Sequence, residues 1–335
     1  MSRVVVITGA SAGVGRATAR AFAARGDRVA LIARGRAGLA AVAREVTAAG
    51  GTPLELALDV ADADAVEAAA QRVEDELGPI DVWVNNAMTA VLAEVMETTP
   101  AEFRRVTEVT YLGSVHGAQA ALRRMLPRDR GHLVQVGSAL TRRGIPLQAT
   151  YCGAKHALDG FVDSLRTELR HRGSNVQLTL VQLPGMNTTQ FHWVRARTAR
   201  EPMPVPPIYQ PEVAARAIVW ASEHRRRELW VGLPTAKTLL GQRIAPWYAD
   251  RVLARSGIED QQTDRPLRPD RPDYVSAPLD DERDHGVHGD FGAQAKERDV
   301  QSWLGMHRAQ ALGGALGAAA AAALAGAGLA RRRRG

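Results

Sequence analysis

Val4-Val5-Val6-Ile7-Thr8-Gly9-Ala10-Ser11-Ala12-Gly13-Val14-Gly15, followed by a helical pattern from Arg16 to Arg25, reads as a buried strand, a glycine turn and a helix in succession. Four consecutive apolar residues fit a strand covered on both faces, as in a parallel sheet. The turn places Gly9, Gly13 and Gly15 in the spacing Gly-x-x-x-Gly-x-Gly. Backbone N–H groups and the positive end of the helix then face an anion such as a pyrophosphate, and the missing β-carbons let it approach. The same spacing also serves as a plain tight connection between strand and helix.

Further apolar runs recur near residues 28–33, 54–60, 80–85, 132–137, 176–183 and 229–233. Helical periodicity fills most of the intervals, which predicts an α/β fold, a doubly wound parallel sheet of about seven strands. Gly26 and Gly50-Gly51 sit where helix C-caps belong, and Gly78-Pro79 and Pro127 stop the helices before them. Ligands of such sheets bind beyond the carboxyl ends of the strands. Gly9, Arg34, Asp59, Asn85, Ser138 and Pro184 are therefore expected around one crevice.

Tyr151 and Lys155 stand four residues apart in a chain that has three lysines against forty arginines. On a helix that spacing puts both side chains on one face, where an ammonium eases proton loss from a phenol. Ser138 ends the run Gly131-His-Leu-Val-Gln-Val-Gly137, where a strand edge presents a hydroxyl. Taken alone, Tyr-x-x-x-Lys also fits a surface pair on an amphipathic helix.

In order, Thr8-Gly9-x-x-x-Gly13-x-Gly15, Asp59-Val60, Asn85-Asn86-Ala87, Ser138, Tyr151-x-x-x-Lys155 and Pro184-Gly185 resemble the short-chain dehydrogenase/reductase family over about residues 3–235. The resemblance implies a Rossmann-like domain, a nicotinamide cofactor and oxidoreduction of a carbonyl/alcohol pair. It makes Tyr151 the proton donor in reduction, Lys155 the group that depresses the tyrosine pKa and holds the nicotinamide ribose, and Ser138 a hydrogen-bond partner of the substrate oxygen. Gly9, Ser11, Gly13, Val14 and Gly15 fall to the cofactor loop. Asp59 and Val60 flank the adenine, Asn85 supports the central strands near the cofactor, Ala87 joins the cofactor-binding set, and Pro184, Gly185 and Thr188 or Thr189 approach the carboxamide; Asp59 and Asn85 also fit a helix N-cap and a turn amide. The sequence departs from the family pattern at Thr110, which stands where the family has an asparagine holding a relay water and is expected to bind that water by its hydroxyl. Met88 replaces a glycine and is read as tolerated packing.

Cofactor choice turns on Arg34. The run Arg28 to Ala33 ends without an acidic residue for the adenosine ribose, and Arg34 follows at once. An arginine there binds a 2′-phosphate bidentately, with Ser11 adding a hydrogen bond. With the resemblance this favours NADP(H) over NAD(H); the other reading of Arg34 is a solvated residue at the start of a helix.

The 335 residues suffice for a core, and the net charge of +7 is spread along the chain with only 5% aromatic residues. No nucleic-acid partner is expected, since that needs a basic stripe with stacking aromatics. One cysteine, Cys152, excludes an intrachain disulfide, and the start reads as strand and turn rather than a secretory signal, so a cytoplasmic protein is expected. Residues 186–211 carry Phe191, Trp193, Val194, Met203, Ile208 and Tyr209, either a lid over an apolar substrate or a loop packing its own side chains or a subunit contact. His192 reads as packing or surface, and Arg195, Arg197 and Arg200 as solvated or facing an acidic substrate.

Three regions follow: a catalytic domain over 1–256, a polar and poorly ordered linker over 257–300, and an Ala/Gly-rich helical tail over 301–335. Thr238 to Arg255 reads as one additional helix. His285 and His288 lack partners for a metal site. Ala311 to Ala330 holds eleven alanines, five glycines and four leucines before Arg331 to Arg334, and residues 311–334 read either as a stretch that associates with a membrane surface or as a disordered low-complexity tail, the first being favoured. A homo-oligomer is expected from the family. The function so read is a carbonyl/alcohol oxidoreductase; the alternative is a non-catalytic NADP-binding sensor or scaffold.

Overall fold

The computed structural model describes residues 2–308. Strand β1 (Val4–Thr8) leads through the glycine turn into α1 (Gly13–Ala23), and alternation continues through β2 (Arg28–Ala33), α2 (Arg36–Ala48), β3 (Thr52–Ala57), α3 (Ala63–Leu77) and β4 (Val82–Asn85). After the short β5 (Val91–Leu92), α4 (Pro100–Val106) passes through a π-helical turn, Thr107–Leu112, into α5 (Gly113–Met125). Next come β6 (His132–Ser138), α6 (Ala149–His171) and β7 (Gln177–Leu183). The loop beyond them holds α7 (Gln190–Trp193), β8 (Arg195–Ala196) and β9 (Arg200–Pro202), before α8 (Pro211–Ala221) and β10 (Glu228–Trp230). The last part contains α9 (Leu233–Ile244), α10 (Pro246–Ser256), β11 (Gln262–Pro266) and α11 (Val300–Met306).

Seven strands form one sheet in the order β10-β7-β6-β4-β1-β2-β3, and every pair is parallel. The order reverses beside β1, which places a crevice between the carboxyl ends of β1 and β4. Alternate residues of each strand enter opposite cores. Val5 and Ile7 join Phe22, Val42 and Ile218 on one face, while Val4 and Val6 join Val66, Ala121 and Leu158 on the other. This is the expected Rossmann-like α/β sheet, and its seven strands fall on the seven apolar runs.

The chain departs from expectation beyond residue 235. Thr238 to Arg255 is two helices: Pro246 has no N–H to donate and disfavours helical backbone at Ala245, whose φ and ψ are −142° and 65°. Their apolar residues Ile244, Trp247 and Tyr248 are exposed. Residues 257–300, read from composition as a poorly ordered linker, pack against the sheet domain. Strand β11 pairs antiparallel with β9. Val275, Val287 and Phe291 are buried, and Phe291 meets Phe191 edge-on at 6.2 Å. Asp299 accepts hydrogen bonds from the Gly232 and Ser302 N–H groups, fixing the start of α11. A few well-placed apolar anchors and caps thus hold a segment whose average composition is polar.

The proposed membrane-associated stretch, residues 311–334, lies outside the described residues. Among the described residues no helix is long and apolar enough to cross a membrane.

Truncation of Phe291 to alanine is expected to destabilise the protein by about 3 kcal/mol, the usual cost for a buried phenylalanine. Chemical denaturation of the parent and the variant measures it. A loss below about 1 kcal/mol is the outcome for a segment that does not share the core.

Candidate active site

A cavity of about 810 Å³ runs along the carboxyl ends of the strands. Its first wall is the glycine turn. Gly9 has φ +67°, and a β-carbon there would lie 2.9 Å from Ala87 Cα; one on Gly15 would lie 2.0 Å from the Gly9 carbonyl oxygen. The turn can therefore fold only with glycine at these positions. Thr8 Oγ1 accepts the N–H groups of Asn86 and Ala87 at 2.9 and 3.0 Å, which ties β1 to the end of β4. Helix α1 has no side-chain cap at its start. Its first N–H groups, with Gly9, Ser11, Gly13 and Val14 on the cavity wall, form a cradle that fits a dinucleotide pyrophosphate.

Most of the expected cofactor residues converge on this cavity. Arg34, Asp59, Val60 and Ala87 line one end; Pro184, Gly185 and Thr188 line the other side with Thr189. Thr188 closes on the turn, since a β-carbon on Gly13 would meet its Cγ2 at 3.0 Å. Asp59 accepts from the Ala61 N–H at 3.0 Å and pairs with Arg105. Burial opposes ionisation, yet these bonds hold its carboxyl below the usual range. Gly15 and Asn85 lie outside the lining. Asn85 is a brace: its Oδ1 accepts from Trp83 Nε1 at 2.8 Å and its Nδ2 donates to the Ser114 carbonyl at 2.9 Å.

Ser138, Tyr151 and Lys155 meet on the same wall. Strand β6 delivers Ser138 at its last residue, and the first two turns of α6 carry the other two. Ser138 Oγ accepts the Leu140 N–H at 3.1 Å, leaving its own proton free to donate. Lys155 Nζ donates to the Val136 carbonyl at 2.7 Å and lies 5.7 Å from the Tyr151 ring centroid. The expected lowering of the tyrosine pKa is corrected here: burial pushes Tyr151 well up, with the Ser138 hydroxyl opposing the rise. Burial also pushes Lys155 down to about 8. Desolvation is the leading cause at both groups, Lys155 being buried and Tyr151 half-buried on the cavity wall. The result is a phenol that keeps its proton at neutral pH.

Thr110 is corrected as well. It is fully buried in the π-helical turn, outside the cavity lining, and its hydroxyl both accepts the Thr89 N–H at 3.0 Å and donates to the Thr89 carbonyl at 2.9 Å. That hydroxyl clamps the segment after β4 to the helix; its proton is already used. The arginines expected to be solvated or to face an acidic substrate lie outside the cavity lining and, partly exposed, pair with carboxylates of the chain. Arg195 and Arg197 hold Glu102, and Arg200 holds Glu259. Although burial works against it, bonds from Arg197, the Thr99 N–H and Arg195 hold the Glu102 carboxyl down at about 2. His192 faces Asp290 at 3.2 Å.

Residues 186–211 pack their own apolar side chains and also border the cavity. Phe191, Trp193 and Val194 are buried and also line the cavity. The sequence reading missed the C-terminal wall: Tyr274, Pro278, Leu279 and Asp280 line the cavity too. Burial pushes the Tyr274 phenol up to about 12, and its hydroxyl points at Met88 Sδ, 3.7 Å away. Met88 and Tyr274 pack beside Tyr151, so the bulk at 88 shapes the cavity.

Lys155 sets a pH dependence. Its folded pKa, about 8, lies below the ordinary 10.5, so the unfolded chain holds the proton more tightly. Burial of this group costs stability below pH 8, and the cost fades as pH rises toward 10.5. Measured by denaturation against a Lys155→Met variant, the parent is expected to gain relative stability between pH 8 and 10. A flat difference contradicts the desolvated lysine.

Comparison with known proteins agrees with this site. The short chain dehydrogenase family matches residues 3–199. An uncharacterized oxidoreductase of Bacillus subtilis, YxnA, is 32% identical over 271 residues, 80% of this chain and 76% of that protein. The ketoacyl reductase HetN of a Nostoc species is 29% identical over 77% of this chain and 90% of its own. The structure of an alcohol dehydrogenase from Thermococcus sibiricus, complexed with 5-hydroxy-NADP, superposes with a TM-score of 0.61 at 28% identity, covering 69% of this chain and 96% of that one. With the sheet order, the glycine cradle and the serine, tyrosine and lysine on one wall, the match over residues 3–199 makes this chain an oxidoreductase of the short-chain dehydrogenase/reductase family.

Proposed function

We propose that the protein reduces the carbonyl group of a bulky apolar substrate, using NADP(H) in preference to NAD(H). The observation that carries this reading is the shared cavity: Tyr151, half-buried beside Ser138 and Lys155 and with its phenol pushed toward the protonated form, lines the same space as the glycine cradle. The glycine cradle and Lys155 would hold a dihydronicotinamide cofactor, which would supply hydride for the carbonyl carbon. Tyr151 gives its proton to the oxygen as the C=O bond becomes C–OH, and Ser138 donates a hydrogen bond to that oxygen. Lys155 holds the nicotinamide ribose. Phe191, Trp193, Val194 and Tyr274 keep water from the reacting carbon and favour an apolar substrate. Arg34, at the adenosine end, supports the choice of a 2′-phosphate. Relatives agree in kind, since one is a ketoacyl reductase and the alcohol dehydrogenase binds an NADP analogue.

The sequence expected two further partners, a second copy of the chain and a membrane surface. The exposed Ile244, Trp247 and Tyr248 of α9 and α10 supply a face for either, and Tyr248 also lines the cavity.

A panel of bulky ketones and aldehydes, with cofactor absorbance as readout, tests the reading. NADPH is expected to bind more tightly than NADH. Tyr151→Phe is expected to reduce turnover by about 10²–10⁴-fold, the usual worth of a general acid, with cofactor affinity nearly intact. Activity of the variant within about tenfold of the parent sinks the assignment.

A further inference from the structure

Helix α2 begins where the adenosine end of the cavity lies, and nothing in its own sequence caps it: its N-cap is Gly35, and its first turn has no acidic residue. The cap comes from the far end of the chain. Arg36 N–H donates to Asp281 Oδ1 at 3.1 Å, Ala37 N–H to the Asp281 carbonyl at 3.1 Å, and Gly38 N–H to the Asp280 carbonyl at 3.0 Å. The segment 274–287 crosses the cavity as a strap fixed on both sides. Val275 packs with Val91 and Val106 on one side; on the other, Val287 packs with Ala17 and Ala215, and Asp284 pairs with the buried Arg16.

The middle of the strap puts a carboxylate at the adenosine end. A β-carbon on Gly35 would lie 1.9 Å from Asp280 Oδ1, and one on Gly38 would lie 2.4 Å from Asp280 Oδ2 and 2.9 Å from Ser11 Cβ. Asp280 therefore fills the space left by two missing side chains, against Ser11 and the start of α2. Ser11, Arg34 and Asp280 line the same cavity. No protein donor among the described residues hydrogen-bonds the Asp280 carboxylate, so its lone pairs remain for a ligand. Arg34 is drawn toward the strap by the Tyr274 carbonyl, while its buried Nη1, 4.0 Å from Asp59 Oδ2, has no hydrogen-bond partner.

We propose that Asp280 reads the 2′ position of the cofactor's adenosine ribose. Its carboxylate accepts hydrogen bonds from a ribose diol and competes with a 2′-phosphate for the place between Ser11, Arg34 and the start of α2. The strap thus supplies the acidic group that the end of β2 lacks. Arg34 and Asp280 pull the preference in opposite directions, and NADPH binds only by pushing Asp280 aside. This rests on the nicotinamide-cofactor reading of the cavity.

Calorimetric titration of the full-length protein with NADPH and with NADH tests it. Asp280→Asn is expected to raise the affinity ratio of NADPH to NADH about tenfold, and Arg34→Ala to lower it. Hydrogen exchange of the unmodified protein gives a second readout that no variant can confuse. Amides of residues 36–38 and 279–284 are expected to exchange faster with NADPH bound and slower with NADH bound. A ratio unmoved by Asp280→Asn, or equal protection by the two cofactors, overturns the role of Asp280 and leaves the enzyme reading intact. Failure of the parent to bind either cofactor overturns that reading as well.

Discussion

The close approach of Gly15 to the Gly9 carbonyl is the constraint on which the site depends. With 2.0 Å between that oxygen and any β-carbon at residue 15, a side chain would push α1 off the turn. Gly9 in turn lies against Ala87, so the same displacement would separate the end of β1 from the end of β4. The bonds from Asn86 and Ala87 to Thr8 Oγ1 hold only while these strand ends stay together. Two chain ends in a parallel sheet, brought together at a reversal of strand order, leave a crevice on the carboxyl side. The N-terminus of α1 then points into the crevice, and β6 places Ser138 on its wall.

Desolvation dominates the chemistry of that wall. Lys155 is buried and Tyr151 half-buried on the cavity wall, and each is pushed toward its neutral form. A neutral tyrosine is an acid waiting for an oxyanion, and an oxyanion formed beside it has few other donors: the Ser138 proton is one. Arg195 and Arg197 pair with Glu102 outside the cavity lining, whereas Arg143 and Lys237 bring positive charge onto the cavity wall. The same wall carries apolar surface from Phe191, Trp193 and Val194, with Tyr274 brought in from the C-terminal segment.

Local periodicity made the sheet legible in the sequence. Buried parallel strands are continuous apolar runs, and all seven were visible as such; the glycine turn and the four-residue spacing of Tyr151 and Lys155 are also local patterns. Features that failed to show were set by distant contacts. Arg34 meets Tyr274 across 240 residues, and nothing in either neighbourhood signals the other. The strap is anchored by Val275 and Val287, and Phe291 follows beyond it; these are too sparse to form a period, so the composition resembled a linker. Thr110 looked like a free hydroxyl at a family position because the sequence does not show that the Thr89 backbone already uses it. The break before Pro246 was readable from the residue alone, but the apolar pattern on either side suggested one helix.

Transfer of isotope tests the central claim most directly. The cavity is held to bring a dihydronicotinamide carbon and a carbonyl carbon together beside Tyr151. With NADPH carrying deuterium at C4 of the dihydronicotinamide and a bulky apolar ketone, one C4 epimer is predicted to deliver its deuterium to the carbinol carbon at every turnover. Oxidation of the cofactor without deuterium in the alcohol, or label scrambled from both epimers, would contradict a single site that aligns hydride and proton donors.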